Sequence, residues 1–552
     1  MIFRRHISTT GLLLGTLFFS LSLTPSLLPR TNLMQGLISG LALTSGYTVG
    51  VLGQWLWNYF ELPKPGRRAR PVVALTAAGF CFILAAIFLW EASGWQNTLR
   101  ASMGLEKTAV TRPFVIGVVA VLLFLVLLIL ARSFRETFHY VSERLHRYVP
   151  RRVSYLFGLI AAFAIYGLAA NGVLFSLILR AADSSYKQWD RQVQPDLLQP
   201  ADSMKAGSVA SFLKWEEMGH YGREFIAGSV DTSDLKKFTR QPVKQPIRVY
   251  VGIHAGDEEE RAELALQELK RLNAFDRSVL ILATPTGSGW VEEDAIEPVE
   301  YLHRGDIATV AAQYSYLPGA LPLILEGEYG SEVARALFQK IYGYWTELPR
   351  DNRPKLYLQG LSLGALNSDH SFDFFDIIND PFHGALWSGP PFRSSIWREV
   401  TTRRRPESPV WLPRFRDDSV VRFANQHGGL EQGEAEWGNF RIAYLQYASD
   451  PIVFFDFQAW RREPKWMTGP RGPGVNENLK WYPIVTMLQL VADMIASTSL
   501  PPGYGHEYAS VDYLQSWMEL TEPEGWSEEE FKKLRAHFAQ RDERKAQSKI
   551  RR

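Results

Sequence analysis

Five long apolar stretches in the first 181 residues constrain this chain more than any other feature. They run over residues 9–28, 33–58, 71–91, 113–131 and 155–180. A helix needs roughly 20 apolar residues to cross a bilayer, so the pattern predicts five transmembrane helices. The fourth is the clearest, because no charged residue lies between Pro113 and Arg132. The first is diluted by polar residues, but no small-residue cleavage site follows it, which favours an uncleaved helix over a signal peptide.

Positive charge in the short loops predicts the orientation of these helices. Twelve Lys and Arg residues lie on the side of the N-terminus, against four on the other side. The excess predicts a cytoplasmic N-terminus in the cell (inner) membrane. Five crossings would then place everything after residue 181 in the periplasm or its equivalent. The lipid bilayer is the expected partner. The stretches carry almost no charge, which favours an anchor over a transporter.

The chain after residue 181 has the composition of a soluble protein, and the composition of the whole chain excludes several kinds of site. The net charge of the whole chain is only +2, so no nucleic-acid partner is expected. The single cysteine, Cys81, lies in an apolar stretch, which argues against a disulfide framework or a thiolate metal cluster. No metal-ligand histidine spacing or phosphate-binding glycine motif is present. We therefore expect neither a cofactor nor a metal.

Strands and helices alternate after a mixed, polar segment. Strands are expected at 247–253, 279–283, 307–313, 356–359, 386–388 and 441–446, and helices at 257–273, 331–346 and 482–497. This alternation predicts an α/β fold, a mostly parallel sheet with helices on both faces. The last helix is expected in its core, not as a sixth span. The expected domains are a transmembrane domain (1–182), a linker (183–245), a catalytic domain (246–525) and a charged tail (526–552).

The stretch LYLQGLSLGA, residues 356–365, joins a predicted strand to Gly-x-Ser-x-Gly. In a strand–turn–helix context this motif is typical of a nucleophilic serine, here Ser362. The backbone N–H of Leu363, at the start of the helix, would face the oxyanion. A plain glycine-rich turn is the alternative, but the surrounding strand–helix series favours the nucleophile.

The order Ser, acid, His that is typical of this motif selects the partners of Ser362. Asp450 follows a predicted strand in RIAYLQYASDPI and is the expected acid, with Asp456 as its nearest competitor. Two histidines follow Asp450. His506 lies in the glycine-rich loop PPGYGHEY and is the expected base, whereas His537 lies in the charged tail. His254, His370 and His383 come too early in the chain.

A second oxyanion donor is expected in a loop after an earlier strand. The stretch TPTGSGW, residues 284–290, follows the strand at 279–283. Its glycines would let the backbone approach a substrate, so the N–H of Thr286 or Gly287 is the candidate donor. A simple turn is almost equally compatible with these residues.

Several longer motifs together resemble a family of bacterial membrane-anchored α/β-hydrolases. They are YVGIHAG, ATPTGSGWVEEDAIE, EYLHRGDIATVAAQYSYLPG, LYLQGLSLGA, LQYASDPIVFF, PRGPGV and GYGHEY. That family joins an N-terminal multi-helix membrane domain to a cutinase- or lipase-like domain, and the resemblance covers residues 10–525. It implies Ser362 as nucleophile, Asp450 as acid and His506 as base. Leu361 departs from the family pattern, where a polar residue often precedes the serine.

Three hypotheses follow from these residues. The first is a membrane-anchored serine hydrolase acting on an ester or thioester of an apolar, lipid-like acyl group. The second is an acyltransferase that uses the same triad to acylate a lipid or glycan hydroxyl. The third is a non-catalytic membrane scaffold that retains the fold. Residues 366–440 are rich in aromatic side chains and would form a lid, an acyl pocket or ordinary core. The sequence does not define the oligomeric state.

Overall fold

The computed structural model describes residues 7–63, 66, 68–107, 112–168, 176–317 and 329–551. The chain forms two compact units. The first contains residues 1–184, 456–467 and 476–493, and the second contains residues 185–455, 468–475 and 494–552. Two short stretches from the C-terminal half of the sequence therefore fold with the N-terminal helices.

The first unit is built from helices. Their bounds are Thr9–Ser22, Asn32–Tyr59, Ala69–Ser102, Pro113–Leu145 and Arg151–Gly167, and a helix at Ser176–Arg191 leads into the second unit. Among the described residues, three helices are long and apolar enough to cross a membrane: Asn32–Tyr59, Pro71–Ser102 and Pro113–Leu145.

The prediction of five membrane helices is therefore wrong for the described part of the chain. The helix Thr9–Ser22 has 14 residues, which at 1.5 Å per residue is about 21 Å, short of the roughly 30 Å hydrocarbon core. The helix Arg151–Gly167 has 17 residues, and the predicted span 155–180 continues into residues 169–175, which lie outside the described part. The predicted orientation also draws on residues 1–6, which lie outside it too.

The first two helices approach each other closely through glycines. A Cβ on Gly46 would lie 2.4 Å from the carbonyl oxygen of Leu14, and one on Gly50 would lie 2.6 Å from that of Thr10. Any larger residue would push the helices apart, so these glycines set their separation. Small residues at such contacts are typical of helices that associate in lipid.

A buried polar cluster joins the loop between these two helices to the helix Val485–Ala496. The side chains of Arg30 and Asp493 are fully buried, and Arg30 Nε lies 3.0 Å from Asp493 Oδ1. Asp493 also accepts hydrogen bonds from Ser26 Oγ and the Leu27 N–H, each at 3.1 Å. A buried ion pair is stable only when its remaining polar atoms are satisfied, as they are for Asp493.

The second unit contains seven described strands. They are β1 (Ile247–Val251), β2 (Val279–Thr284), β3 (Ile307–Ala312), β4 (Lys355–Leu361), β5 (Gly384–Ser388), β6 (Val421–Ala424) and β7 (Arg441–Leu445). They form one sheet in the order β1-β3-β2-β4-β5-β7-β6. Every described pair is parallel. The carboxyl ends of all seven strands therefore meet at one edge.

Helices cover the sheet in two groups. One group contains Glu258–Arg271, Tyr329–Glu347 and Leu363–Asp369, and the other contains Glu293–Leu302, Ser510–Thr521 and Glu528–Arg551. The crossover from β2 to β3 runs in the opposite direction to those from β1 to β2 and from β3 to β4. Right-handed crossovers then place its helix, Glu293–Leu302, on the opposite face. The predicted α/β architecture is confirmed.

Short helices complete the second unit outside these two groups. They lie at Gly219–Ala227, Thr232–Leu235, Phe374–Ile377, Ser395–Thr402 and Pro451–Phe454. Beneath the first of them, the guanidinium of Arg248 on β1 binds the Glu300 carboxylate through two hydrogen bonds of 2.7 and 2.8 Å. Both side chains are buried. Arg248 also donates to the carbonyl of Phe225 at 2.8 Å, so this internal charge is well paired.

Candidate active site

Ser362 lies at a strained turn between β4 and the helix Leu363–Asp369. Its backbone has φ 57° and ψ −123°, a region that costs a residue with a side chain on the order of 1–3 kcal/mol. The Ser362 N–H donates to the carbonyl of Ser388 at 3.0 Å, which fixes the turn against β5. The side chain is half-buried at the carboxyl edge of the sheet. This is the backbone geometry of a nucleophile elbow.

The two glycines of the motif are required by close backbone contacts. A Cβ on Gly360 would lie 2.4 Å from the carbonyl carbon of Gly364. A Cβ on Gly364 would lie 2.2 Å from the carbonyl oxygen of Thr284, at the end of β2. Larger residues would separate strand, helix and loop, so the glycines hold the elbow against the loop that follows β2.

Asp450 and His506 meet at the same edge. Asp450 follows β7 and is fully buried. Its Oδ1 accepts the Ile452 N–H at 2.9 Å, and its Oδ2 lies 2.7 Å from His506 Nδ1. A second link holds the two loops together, since the Gly505 N–H donates to Ser449 Oγ at 3.0 Å. The carboxylate is thus placed to orient the imidazole ring.

The other ring nitrogen of His506, Nε2, is not engaged by a described residue. His506 is buried, and its Nε2 has no hydrogen-bond partner among the described residues. Gly389, next to Ser388, packs against the ring, since a Cβ there would lie 2.5 Å from His506 Cε1. The elbow of Ser362 and the ring of His506 are therefore joined through two consecutive residues of the β5 terminus.

Tyr508 is a residue of the site that the sequence analysis missed. Its hydroxyl donates to Asp450 Oδ2 at 2.7 Å, so the same oxygen serves both Tyr508 and His506. Burial, with the Asp450 charge, raises the pKa of Tyr508 well above its ordinary value, which keeps the phenol protonated as a donor. Tyr508 lies two residues after His506 in GHEY, but no local sequence pattern indicates that its side chain contacts Asp450.

The predicted oxyanion loop, residues 284–290, lies against the elbow through Thr284. The Thr286 N–H donates to the carbonyl of Trp290 at 2.9 Å, within a turn. Thr286 is therefore occupied in this conformation, whereas Gly287 is a buried residue at the tip of the same turn. The loop is held from behind by Tyr250 on β1, whose hydroxyl donates to the carbonyl of Gly289 at 2.5 Å. Leu363 begins the helix, where backbone N–H groups lack intrahelical partners.

The other histidines and the competing acid lie elsewhere in the structure. The histidines contact Asp190 (His254), Ser331 (His370), the Leu356 N–H (His383) and Phe238 (His537). Asp456 accepts the Gln458 N–H at 2.7 Å and caps a short 3₁₀ turn in the first unit. Of the residues weighed as acid or base, the structure pairs Asp450 with His506.

Residues 366–440 contribute both to the core and to the surface. Trp387 and Trp397 are buried, and Trp387 Nε1 donates to Ser368 Oγ at 3.0 Å. Phe374 and Phe375 are exposed. A cavity of about 1000 Å³ lies in this region, lined by aromatic and charged side chains that include Phe372, Phe374, Phe440, Asp369 and Arg403. Whether the segment acts as a lid or acyl pocket stays a prediction.

Ionisable side chains near the described site do not gather into a metal-binding group. Across the described residues, no cluster of three or more His, Cys, Asp or Glu side chains is suited to a metal ion. Asp369, at the far end of the helix that begins after Ser362, has its pKa raised to about 6 by burial. It accepts the Ile396 N–H at 3.1 Å and borders the cavity rather than the His506 ring.

The parallel sheet and its strand–elbow–helix turn define an α/β-hydrolase domain. Residues 247–534 match the model of a family described as an alpha/beta-hydrolase family, and residues 23–229 match the model of that family's N-terminus. The first match covers more than half of the chain, so this protein belongs to this α/β-hydrolase family. No curated protein and no solved structure gave a match.

Proposed function

We propose that this protein is a membrane-anchored serine hydrolase that cleaves an acyl ester outside the cytoplasm. The observation that carries the proposal is the arrangement of His506. One ring nitrogen binds the buried carboxylate of Asp450 at 2.7 Å, and the other is buried with no hydrogen-bond partner in the part of the chain that the structure describes. The strained Ser362 elbow is linked to the same ring through Ser388 and Gly389. A serine, a free imidazole nitrogen and an orienting acid are what acyl transfer needs.

The proposed reaction has two halves. In the first, Ser362 Oγ attacks the ester carbonyl while His506 Nε2 takes its proton, and Asp450 stabilises the resulting imidazolium. The backbone N–H groups of Leu363 and Gly287 would stabilise the oxyanion. The tetrahedral intermediate collapses, the alcohol leaves with the proton from His506, and an acyl-enzyme remains. In the second half, His506 deprotonates a water that attacks the acyl group, Ser362 Oγ leaves with that proton from His506, and the carboxylic acid is released.

The proposed substrate is an ester of an apolar, lipid-like acyl group. Two features support it. The protein family pairs the hydrolase domain with an N-terminal domain, and three helices there are long and apolar enough to cross a membrane. Large apolar side chains, including those of Leu75, Phe82, Trp90 and Phe114, project outward from these helices. Such surfaces favour a lipid environment. The cytoplasmic N-terminus and extracytoplasmic hydrolase domain stay part of this proposal.

Labelling with a fluorophosphonate probe tests the proposed nucleophile. The full chain, solubilised in detergent, should be labelled, and Ser362→Ala and His506→Ala should abolish labelling. His370→Ala is the matched control, because that histidine lies away from the Asp450 carboxylate and should leave labelling intact. Hydrolysis of p-nitrophenyl acetate, a small ester, should follow the same pattern across all four proteins.

Two outcomes would overturn the proposal. If the folded wild type reacts with neither the probe nor the small ester, the protein is better explained as a non-catalytic scaffold. If Ser362→Ala still reacts, the nucleophile lies elsewhere. Adding an alcohol such as glycerol distinguishes the hydrolase from the acyltransferase hypothesis, since an acyltransferase would form the acylated alcohol in preference to the free acid.

A further inference from the structure

The chain between Asp450 and His506 leaves the second unit and returns to it. Residues 456–467 and 476–493 fold with the apolar helices of the first unit, while residues 468–475 and 494–552 belong to the second. We call residues 456–493 the insertion. It separates the proposed acid and base along the sequence, and most of it belongs to the unit that carries the candidate membrane helices.

Buried polar contacts fix the insertion to the first unit. Besides the ion pair of Asp493 with Arg30, the side-chain amide of Gln489 donates to the carbonyls of Ser22 and Thr24 at 3.2 and 3.1 Å. Arg30 Nη2 donates to the Gln489 carbonyl at 3.3 Å. These bonds are directional and buried, so the insertion has a defined position on the loop between the first two helices.

At its start the insertion exposes two aromatic side chains on one short turn. The 3₁₀ turn Phe457–Trp460 follows Asp456. Phe457 is 56% exposed and Trp460 is 49% exposed. In a 3₁₀ turn, side chains three residues apart project in the same direction, so the two rings form one patch.

The turn is held in place by hydrogen bonds within the first unit. Trp481 Nε1 donates to the carbonyl of Ala459 at 2.7 Å, and the Ile484 N–H donates to the carbonyl of Trp460 at 2.9 Å. Asp456 caps the turn from the other end. A fixed backbone that presents large apolar rings outward is costly in water, and such patches mark an interaction surface.

The residues around the patch select a bilayer surface as its partner. Arg461 and Arg462 follow the turn directly and are exposed, where they would meet lipid phosphates. Tryptophan beside basic residues is typical of the interface between lipid and water. The patch also belongs to the same compact unit as helices whose outer surfaces are apolar. We propose that the turn Phe457–Trp460 rests in the headgroup region of the membrane.

This surface narrows the class of substrate, a step that rests on the proposed function. Along the sequence, the proposed acid and base flank a segment that would touch the lipid surface, and this connection favours an ester presented from the bilayer over one dissolved in water. The ester bond of a membrane lipid lies at the depth of the headgroups, which is where the patch is proposed to lie.

A fluorophore at position 457 tests the bilayer contact. The full chain carrying Cys81→Ala and Phe457→Cys is labelled with an NBD maleimide and reconstituted in phosphatidylethanolamine–phosphatidylglycerol vesicles. NBD emission should shift to the blue and be quenched by lipids with a nitroxide near the headgroup. Phe212→Cys in the same background is the control, because Phe212 is an exposed aromatic residue of the second unit outside residues 366–440, and it should show little quenching.

The outcomes separate this inference from its alternatives. No blue shift at position 457, or a blue shift without lipid quenching, would overturn it, and the second result would point to a protein partner such as another copy. Phe457→Ser with Trp460→Ser should keep fluorophosphonate labelling and p-nitrophenyl acetate hydrolysis. It should lose about tenfold or more in hydrolysis of a long-chain ester held in vesicles. Loss of labelling in wild type would instead count against the proposed function.

Discussion

Replacing Tyr508 by Phe removes one hydroxyl from the buried carboxylate of Asp450 and nothing else. Asp450 Oδ2 accepts from both Tyr508 and His506, each at 2.7 Å. After the change, Oδ2 keeps only the histidine, while Oδ1 keeps the Ile452 N–H. The ring of Tyr508 stacks on Tyr447 with centroids 4.4 Å apart, and phenylalanine preserves that stacking.

Two effects should follow, one on stability and one on the pH dependence of the reaction. A hydrogen bond to a charged group contributes about 1.5–3 kcal/mol, so the free energy of unfolding should fall by about that amount. The carboxylate also loses a donor that spreads its charge, so it attracts the imidazolium of His506 more strongly. For each 1.4 kcal/mol by which the carboxylate further stabilises the imidazolium, the acid limb of the kcat/KM profile should move up by about one pH unit.

The assay is hydrolysis of p-nitrophenyl acetate between pH 5 and 9, with thermal melts of the same samples. Tyr513→Phe is the control, since Tyr513 is also buried but its hydroxyl contacts Ser388 Oγ at 2.6 Å. It should lose stability without moving the acid limb. If Tyr508→Phe lowers the rate equally at every pH, Tyr508 only supports the fold and the reasoning about charge sharing fails.

Three further changes have expected outcomes. Gly389→Ala puts a Cβ 2.5 Å from His506 Cε1 at a φ of 51°, so kcat/KM should fall about 100-fold by displacement of the ring, and the strained backbone should lower the free energy of unfolding by about 1–3 kcal/mol. Glu300→Gln leaves the guanidinium charge of Arg248 without its carboxylate and should lower the free energy of unfolding by about 3–5 kcal/mol in denaturant titration. Burial lowers the pKa of His383 to about 4, so the unfolded chain binds a proton first as pH falls below about 6.5. Wild type should then lose about 2 kcal/mol between pH 7.5 and 5 relative to His383→Asn, and parallel melting curves of the two would contradict this.

The sheet was predictable where strands are buried on both faces. β2 is a continuous apolar run from Val279 to Ala283, and β1, β3 and β7 each carry one polar residue, Arg248, Thr309 and Arg441, in an otherwise apolar run, as expected of a parallel sheet covered by helices on both faces. β6 was missed. It is four residues long and carries Arg422, a charged residue that interrupts the apolar pattern of a buried strand. In the fold, the guanidinium of Arg422 donates to the carbonyls of Leu430 and Ala435. The helix Glu293–Leu302 was also missed, because Pro298 lies inside it.

The site was only partly predictable, for a physical reason. Chain order and local motifs predict Ser362, Asp450 and His506 as site residues, since each lies just after a strand or in a glycine-rich loop, and the structure brings Asp450 and His506 into contact. Tyr508 and Gly389 act through contacts across the fold, and no local pattern encodes such contacts. The predicted number of membrane helices was wrong for the described residues because hydropathy does not show where a helix ends. The first helix ends at Ser22, whose hydroxyl donates a hydrogen bond to Ser39.

The buried pair of Arg30 and Asp493 has a practical consequence for dissecting this protein. Expressing the hydrolase half alone, from residue 185, would leave Asp493 without the Ser26, Leu27 and Arg30 groups that satisfy it. The stranded carboxylate sits only 13 positions before His506 in the sequence. Removing Arg30 from a buried pair of this kind costs about 3–5 kcal/mol. Truncation after residue 184 is therefore expected to destabilise the hydrolase half, and co-expression of the two halves should favour its folding.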